Sequence, residues 1–218
     1  MQEEGFDEAS IRSRRERLRV LNIDRCGVRD GLRAVAEAAS AGALFALHEL
    51  GLCESQLRSA ADPAPGTEQE REQAGWLRTV VSHCPELQHL DVRGCVAAAT
   101  AAVLAGQGAP PLANLRHLQA GFLLPVLTGP AQSLSLPGQL DTLAVGLGAR
   151  ANDALLQALA GSSSANTLRT LRLSFGVFEE PGLHAIASCE GLTTLAIEQH
   201  LPCLQAPSLS EVLRLPLQ

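Results

Sequence analysis

Seven times along the chain a leucine is followed by another leucine three residues on and by an apolar residue two further, the pattern LxxLxL with Val, Ile or Ala admitted at the last place. The copies are Leu18-Leu21-Ile23, Leu47-Leu50-Leu52, Leu87-Leu90-Val92, Leu115-Leu118-Ala120, Leu140-Leu143-Val145, Leu168-Leu171-Leu173 and Leu192-Leu195-Ile197. Their first residues stand 29, 40, 28, 25, 28 and 24 positions apart. A repeat of this length means one supersecondary unit per copy, with the units stacked. Stacking is compulsory. A unit offers about five apolar side chains, each contributing roughly 1.5–3 kcal/mol on burial. Ordering its backbone costs about 1–2 kcal/mol for every residue. Only neighbouring units close that gap.

Within each unit the period changes. The motif itself alternates, as a strand does. After it come Asp30-Gly31-Leu32 with Val35 and Ala36, Trp76-Leu77 with Val80-Val81, Asp153 with Leu155-Leu156 and Leu159, and Pro181-Gly182-Leu183 with Ile186-Ala187. An Asp or Pro opening a short apolar stripe at helical spacing starts a helix. Each unit therefore reads as strand, turn and helix. The fold class is α/β: a solenoid of about seven repeats over residues 18–200, with a parallel sheet on the concave side and helices outside. The long step of 40 contains a polar Pro/Gly stretch, Ser59 to Glu70, expected as a surface loop inserted at 59–70. After Phe122 the run Leu123-Leu124-Pro125-Val126-Leu127-Thr128-Gly129-Pro130 has two prolines and predicts an irregular outer segment. Residues 1–17 are expected to form a capping helix and 201–218 a C-terminal cap, because end coils need their edges covered.

The stretch His83-Cys84-Pro85-Glu86-Leu87-Gln88-His89-Leu90-Asp91-Val92-Arg93-Gly94-Cys95 resembles the cysteine-containing subtype of leucine-rich repeat. So does Leu18-Arg19-Val20-Leu21-Asn22-Ile23-Asp24-Arg25-Cys26 with Asp30-Gly31-Leu32 behind it. The subtype is familiar from F-box/leucine-rich-repeat proteins. The resemblance implies the horseshoe architecture and a role in binding proteins. Residues 1–17 carry no F-box pattern.

Composition excludes several classes. Aromatic residues make up 3% and Tyr is absent, so the core must be Leu, Ala and Val. The net charge of −6 argues against nucleic acid, whose phosphates call for a clustered basic surface. The basic run Arg12-Ser13-Arg14-Arg15-Glu16-Arg17 reads as a solvated cap rather than a nucleic-acid arm. No apolar run approaches the roughly 18 residues of a membrane helix, so no membrane insertion is expected. The acidic start Met1-Gln2-Glu3-Glu4 is unlike a secretory signal, so the expected compartment is cytoplasmic or nuclear.

The cysteines keep the phase of the repeat. Cys26 and Cys95 lie eight after their unit's first leucine, and Cys84 and Cys189 lie three before the next one. Recurrence in phase is what a small buried packing residue produces. A zinc site needs four ligands converging on one point, so no metal is expected, although His200 and Cys203 have a ligand-like spacing. Gly146-Leu147-Gly148 is a lone GxG, and the chain has no Lys to complete a phosphate loop. Ser162-Ser163-Ser164 falls in an expected loop without a GxSxG context. No cofactor is expected.

If the motif leucines point inward, the residues between them form three rows on the open face. The first is Val20, Glu49, His89, His117, Thr142, Thr170 and Thr194. The second is Asn22, Gly51, Asp91, Gln119, Ala144, Arg172 and Ala196, and the third is Asp24, Cys53, Arg93, Gly121, Gly146, Ser174 and Glu198. His89, Asp91, Arg93, His117 and Gln119 gather on units three and four, with Phe122, Arg172 and Phe175 as further anchors; aromatics and Arg favour binding hot spots. A His beside an Asp has the makings of a general base, but no nucleophile accompanies the pair, and the expectation is no enzyme. The expected function is a non-catalytic scaffold or adaptor holding another protein, alone or as a subunit of a larger complex. Alternatives are the substrate-recognition part of an F-box-type ubiquitin-ligase receptor, the repeat region of a larger sensor, and an enzyme regulator or inhibitor.

Overall fold

Alternation in LxxLxL puts the second and third apolar residues on one side of a strand, and that is how they fold. The computed structural model describes residues 18–23, 31–52, 68–93, 95, 112–122, 136–146, 152–174 and 180–198. Seven strands, one per motif, are β1 Val20–Asn22, β2 Glu49–Gly51, β3 His89–Val92, β4 His117–Phe122, β5 Thr142–Gly146, β6 Thr170–Ser174 and β7 Thr194–Glu198. They form a single parallel sheet in chain order, each strand beside the next. The architecture is α/β and agrees with a solenoid-like arrangement.

Register is uniform. Leu21, Leu50, Leu90, Leu118, Leu143, Leu171 and Leu195 stand opposite one another across all seven strands. The five central members are buried; Leu21 and Leu195, on the first and last strands described, are partly buried. A second apolar row, Leu52, Val92, Ala120, Val145 and Leu173, is buried beside it. Leu47, Leu87, Leu115, Leu140 and Leu168, the first residues of their motifs, are fully buried, whereas Leu18 at the end is 40% exposed.

Parallel neighbours need a crossover. Helices supply it at four places: α1 Gly31–Ser40, α2 Glu68–His83, α3 Asn152–Ala160 and α4 Glu180–Ala187. Helix α1 packs on α2 and α3 on α4. Leu32, Val35, Ala36 and Ala39 make the buried stripe of α1 at the i, i+3, i+4, i+7 spacing. Gly42 ends it with φ 74°, donating to Ala39 O at 2.8 Å while Ala43 N–H reaches Ala38 O at 2.9 Å. This pair of bonds satisfies carbonyls the helix would otherwise leave open. Helix α2 begins at Glu68, inside the stretch 59–70 expected as loop. Glu68, Gln69 and Glu70 are good helix formers, and acids favour a helix N-terminus, so the helix extends back over them. Residues 59–67 lie outside the described residues, as do the expected caps 1–17 and 201–218 and the expected irregular segment after Phe122.

The position three before the first leucine is a recurring niche. It holds Leu44, Cys84, Leu112, Ala165 and Cys189, all buried. At four of these the carbonyl receives the N–H of the motif's first leucine, as from Leu47 to Leu44 at 3.0 Å and from Leu192 to Cys189 at 3.0 Å. Leu, Ala and Cys exchange there because the niche asks only for an apolar side chain of modest size. Cys95 is also buried, while Cys26 lies outside the described residues.

Of the three serines expected in a loop, Ser163 and Ser164 open a 3-10 turn, Ser163–Asn166, with Ser162 at its N-cap. Ser164 is wholly buried. Its hydroxyl donates to Pro137 O and accepts from Leu140 N–H at 3.2 Å, both in the preceding coil. Ser163 Oγ donates to Gly138 O at 3.1 Å and Thr167 Oγ1 to Leu140 O at 2.8 Å. Polar side chains thus bind coil six to coil five where the backbone ladder has not yet begun.

One register expectation fails. Row three was to carry Gly121 opposite Gly146, but the register shifts between Ala120 and Phe122, and Phe122 stands opposite Gly146. The extra residue is a bulge. A Cβ on Gly121 would lie 2.7 Å from Arg93 O, so only glycine lets β4 pass β3 so closely.

Three substitutions check these contacts by chemical denaturation. Ser164→Ala strands two buried backbone groups and is expected to cost about 1–3 kcal/mol, against about 0.5 kcal/mol or less for Ser163→Ala. Gly121→Ala is expected to cost about 1–3 kcal/mol through overpacking, whereas an unchanged midpoint would mean that β4 has room to move.

Candidate functional site

The uniform register carries the open-face residues into contact. Row one runs Val20, Glu49, His89, His117, Thr142, Thr170, Thr194, and row two runs Asn22, Gly51, Asp91, Gln119, Ala144, Arg172, Ala196. Adjacent strands are about 4.8 Å apart, so neighbours in a row touch. The His89 and His117 rings have centroids 4.0 Å apart with their planes tilted by 44°.

That pairing has an electrostatic consequence. The His117 pKa lies below the ordinary histidine value. Partial burial is the main cause and the neighbouring His89 adds to it, with Arg116 acting the same way; Asp141 and Glu49 oppose. The lowered pKa favours the neutral ring of His117, which packs at a tilt against His89 in the middle of the sheet.

Asp91 lies on β3 and Arg93 just past its end, two residues on, and they close on each other. Arg93 Nη2 donates to Asp91 Oδ2 at 2.7 Å, and Nε contacts both carboxylate oxygens at 3.0 and 3.1 Å. The Arg93 backbone N–H also donates to Asp91 Oδ1 at 3.1 Å. A forked pair of this kind fixes both side chains. Arg93 remains half exposed while Asp91 holds its guanidinium.

Two hollows lie on the face. The first, about 180 Å³, is lined by Asn22, Glu49, His89, Asp91, His117 and Gln119 among others. The second, about 390 Å³, has Arg93, Gln119, Thr142, Thr170, Arg172 and Ser174 around a floor that includes Ala144 and Gly146. Five of the expected residues, His89, Asp91, Arg93, His117 and Gln119, therefore come together, and Gln119 borders both hollows. Arg172 belongs to the second hollow, two strands from Gln119. Phe122 sits at the bulge on β4, at the register position of Gly146. Phe175 lies outside the described residues.

Sequence reasoning placed Glu49 and the threonines in rows but did not single them out. Glu49 stands directly beside His89, and Thr142 and Thr170 wall the second hollow. The signal was available in the phase of the repeat, which sets each one's neighbour.

The three described thiols, Cys84, Cys95 and Cys189, are buried. Burial pushes the Cys84 pKa up to about 11. Burial and then the Asp91 charge push Cys95 up to about 12. Cys189 is raised by burial as well. A thiol held protonated is a poor nucleophile and a poor metal ligand. Among the described residues no group of three or more His, Cys, Asp or Glu side chains is placed to hold a metal ion. No described helix is long and apolar enough to cross a membrane. Neither the family models nor the curated proteins compared with this sequence match it.

The histidine pair has a direct check. In His89→Ala, both the neighbouring charge and part of the burial of His117 are removed. The His117 titration midpoint, followed by NMR of the ring protons, is expected to rise toward the ordinary value near 6.5. Because the folded pKa is the lower one, stability declines as the pH falls from about 6.5 toward the folded midpoint and is retained above it. A midpoint unmoved by the substitution would show that the rings are apart in solution.

Proposed function

We propose that the chain is a leucine-rich-repeat solenoid that acts as a non-catalytic adaptor, docking another protein across the open, concave face of its sheet. The observation that carries this reading is the sheet face, in register along its first two rows. Seven strands lie side by side, and His89, Asp91, His117 and Gln119 meet at their centre.

A surface held by a parallel ladder is ordered before binding, so little conformational entropy is lost on docking. The central side chains suit a protein partner. Imidazole rings and a guanidinium combine apolar area with directional hydrogen bonding, the mixture favoured at hot spots. A catalytic role for His89 and Asp91 is disfavoured by the same geometry. Asp91 is engaged by Arg93 rather than by either histidine, and the face is an open trough rather than a cleft.

The test is partner capture by the double variant His89→Ala with Arg93→Ala. Capture from source-cell extract, quantified against wild type, is expected to fall about tenfold or more, given a loss of roughly 1.5–3 kcal/mol at two central side chains. Circular dichroism and melting temperature should stay near wild type, since both side chains point away from the leucine core. Undiminished capture by a folded double variant would remove this face from the interaction.

A further inference from the structure

The first hollow brings two nitrogen donors together. His89 on β3 and His117 on β4 are direct register partners, and both line it. Their ring centroids are 4.0 Å apart, and both residues are half-buried. Neither ring makes a hydrogen bond among the described residues. His48 and His83 differ in this respect, since each has a ring nitrogen against a backbone carbonyl, at 2.7 and 2.8 Å. The strands beneath the pair are fixed. His89 N–H donates to His48 O and His117 N–H to Gln88 O, both at 2.9 Å. The two imidazoles are thus set side by side before any ligand arrives.

The surroundings favour a cation. Glu49 on β2 is the register partner of His89 on its other side, and it is exposed. Its carboxylate makes no hydrogen bond or ion pair among the described residues. Asp91 also lines the hollow, although Arg93 holds it, and no arginine lines the hollow. The volume of about 180 Å³ leaves room for an ion and several waters, each taking about 30 Å³.

Imidazole nitrogen suits zinc, nickel and copper, whereas magnesium and calcium ask for oxygen. Zinc holds an imidazole nitrogen at about 2.0–2.1 Å. Two nitrogens on one ion are therefore at most about 4 Å apart, a span that rings with centroids 4.0 Å apart can meet. The terminal torsion of histidine is broad, so a rotation of each ring turns one nitrogen to a common point without moving the strands.

We propose that His89 and His117 form a two-histidine chelate for a divalent transition ion of the zinc class, with water on the remaining positions. A structural zinc site closes with four protein ligands, and no group of three or more His, Cys, Asp or Glu is placed to hold an ion among the described residues. The pair therefore makes an open, exchangeable site rather than a folding scaffold. Glu49 contributes charge to it and not coordination. The ion is held by this chain alone, so the site does not depend on the protein-docking reading.

The experiment is a titration of the full chain with zinc chloride, followed by NMR of the histidine rings, with magnesium chloride as the comparison. Zinc is expected to shift the His89 and His117 rings together, saturating at one ion for the pair. The melting temperature should rise with zinc concentration, and magnesium should do neither. Affinity is expected to fall about tenfold or more in His89→Ala and by a similar factor in His117→Ala, because the second imidazole closes on an ion the first already holds. His83→Ala, in the last turn of α2, should leave it unchanged. The spectrum of each variant reports its fold. Zinc shifts confined to other histidines, or a response to magnesium equal to that to zinc, would overturn the proposal. So would an affinity unchanged in either His89→Ala or His117→Ala, which would show an adventitious ion only.

Discussion

One backbone carbonyl in each coil carries the architecture. Arg19, His48, Gln88, Arg116, Asp141 and Arg169 each follow their motif's first leucine, and each carbonyl accepts two N–H groups from the next coil. His48 and Glu49 both donate to Arg19 O, at 2.7 and 2.9 Å, and the same fork recurs up to Thr193 and Thr194 on Arg169 O, at 2.9 and 2.9 Å. The fork locks each coil to its predecessor at the entry to the strand. A slip of one residue would turn the leucines outward and the polar rows inward. Burial of the apolar rows and alignment of the open face are therefore two results of one constraint.

Side-chain bonds extend that lock where the backbone cannot. Asn114 donates to Pro85 O at 3.0 Å, Thr167 to Leu140 O at 2.8 Å and Thr193 to Arg169 O at 3.1 Å, each bridging to the previous coil. The residue types differ from coil to coil, but each of these side chains donates to a backbone carbonyl of the previous coil. Such redundancy tolerates sequence drift outside the leucines. It also leaves the open face free to vary, since nothing in the ladder depends on what points away from the core.

The open face is organised by neighbours rather than by single residues. Asp91 restrains Arg93, burial and then His89 lower the His117 pKa, and Arg172 stands between alanines. An acidic hollow and a basic one result, joined at Gln119. Under the docking role proposed above, such a pattern would fix a partner's orientation more than add affinity.

The strands, their order and their register were legible in the repeat, because a leucine every third and fifth position has one stable placement on a stacked unit. The in-phase burial of Cys84, Cys95 and Cys189 was legible for the same reason. The helices showed where apolar spacing was regular, although the start of α2 at Glu68 was hidden by polar residues that serve a helix end or a loop equally well. The bulge at Gly121 could not be read, since it arises from how closely β4 passes the Arg93 carbonyl, a distance between coils. Nor could the buried task of Ser164, whose partners lie 24 and 27 residues away. Rows of candidate residues followed from alternation alone. Which of them are paired, screened or open was decided only in the folded chain, because hydrogen bonds and charges act over a few ångströms in space and not along the sequence.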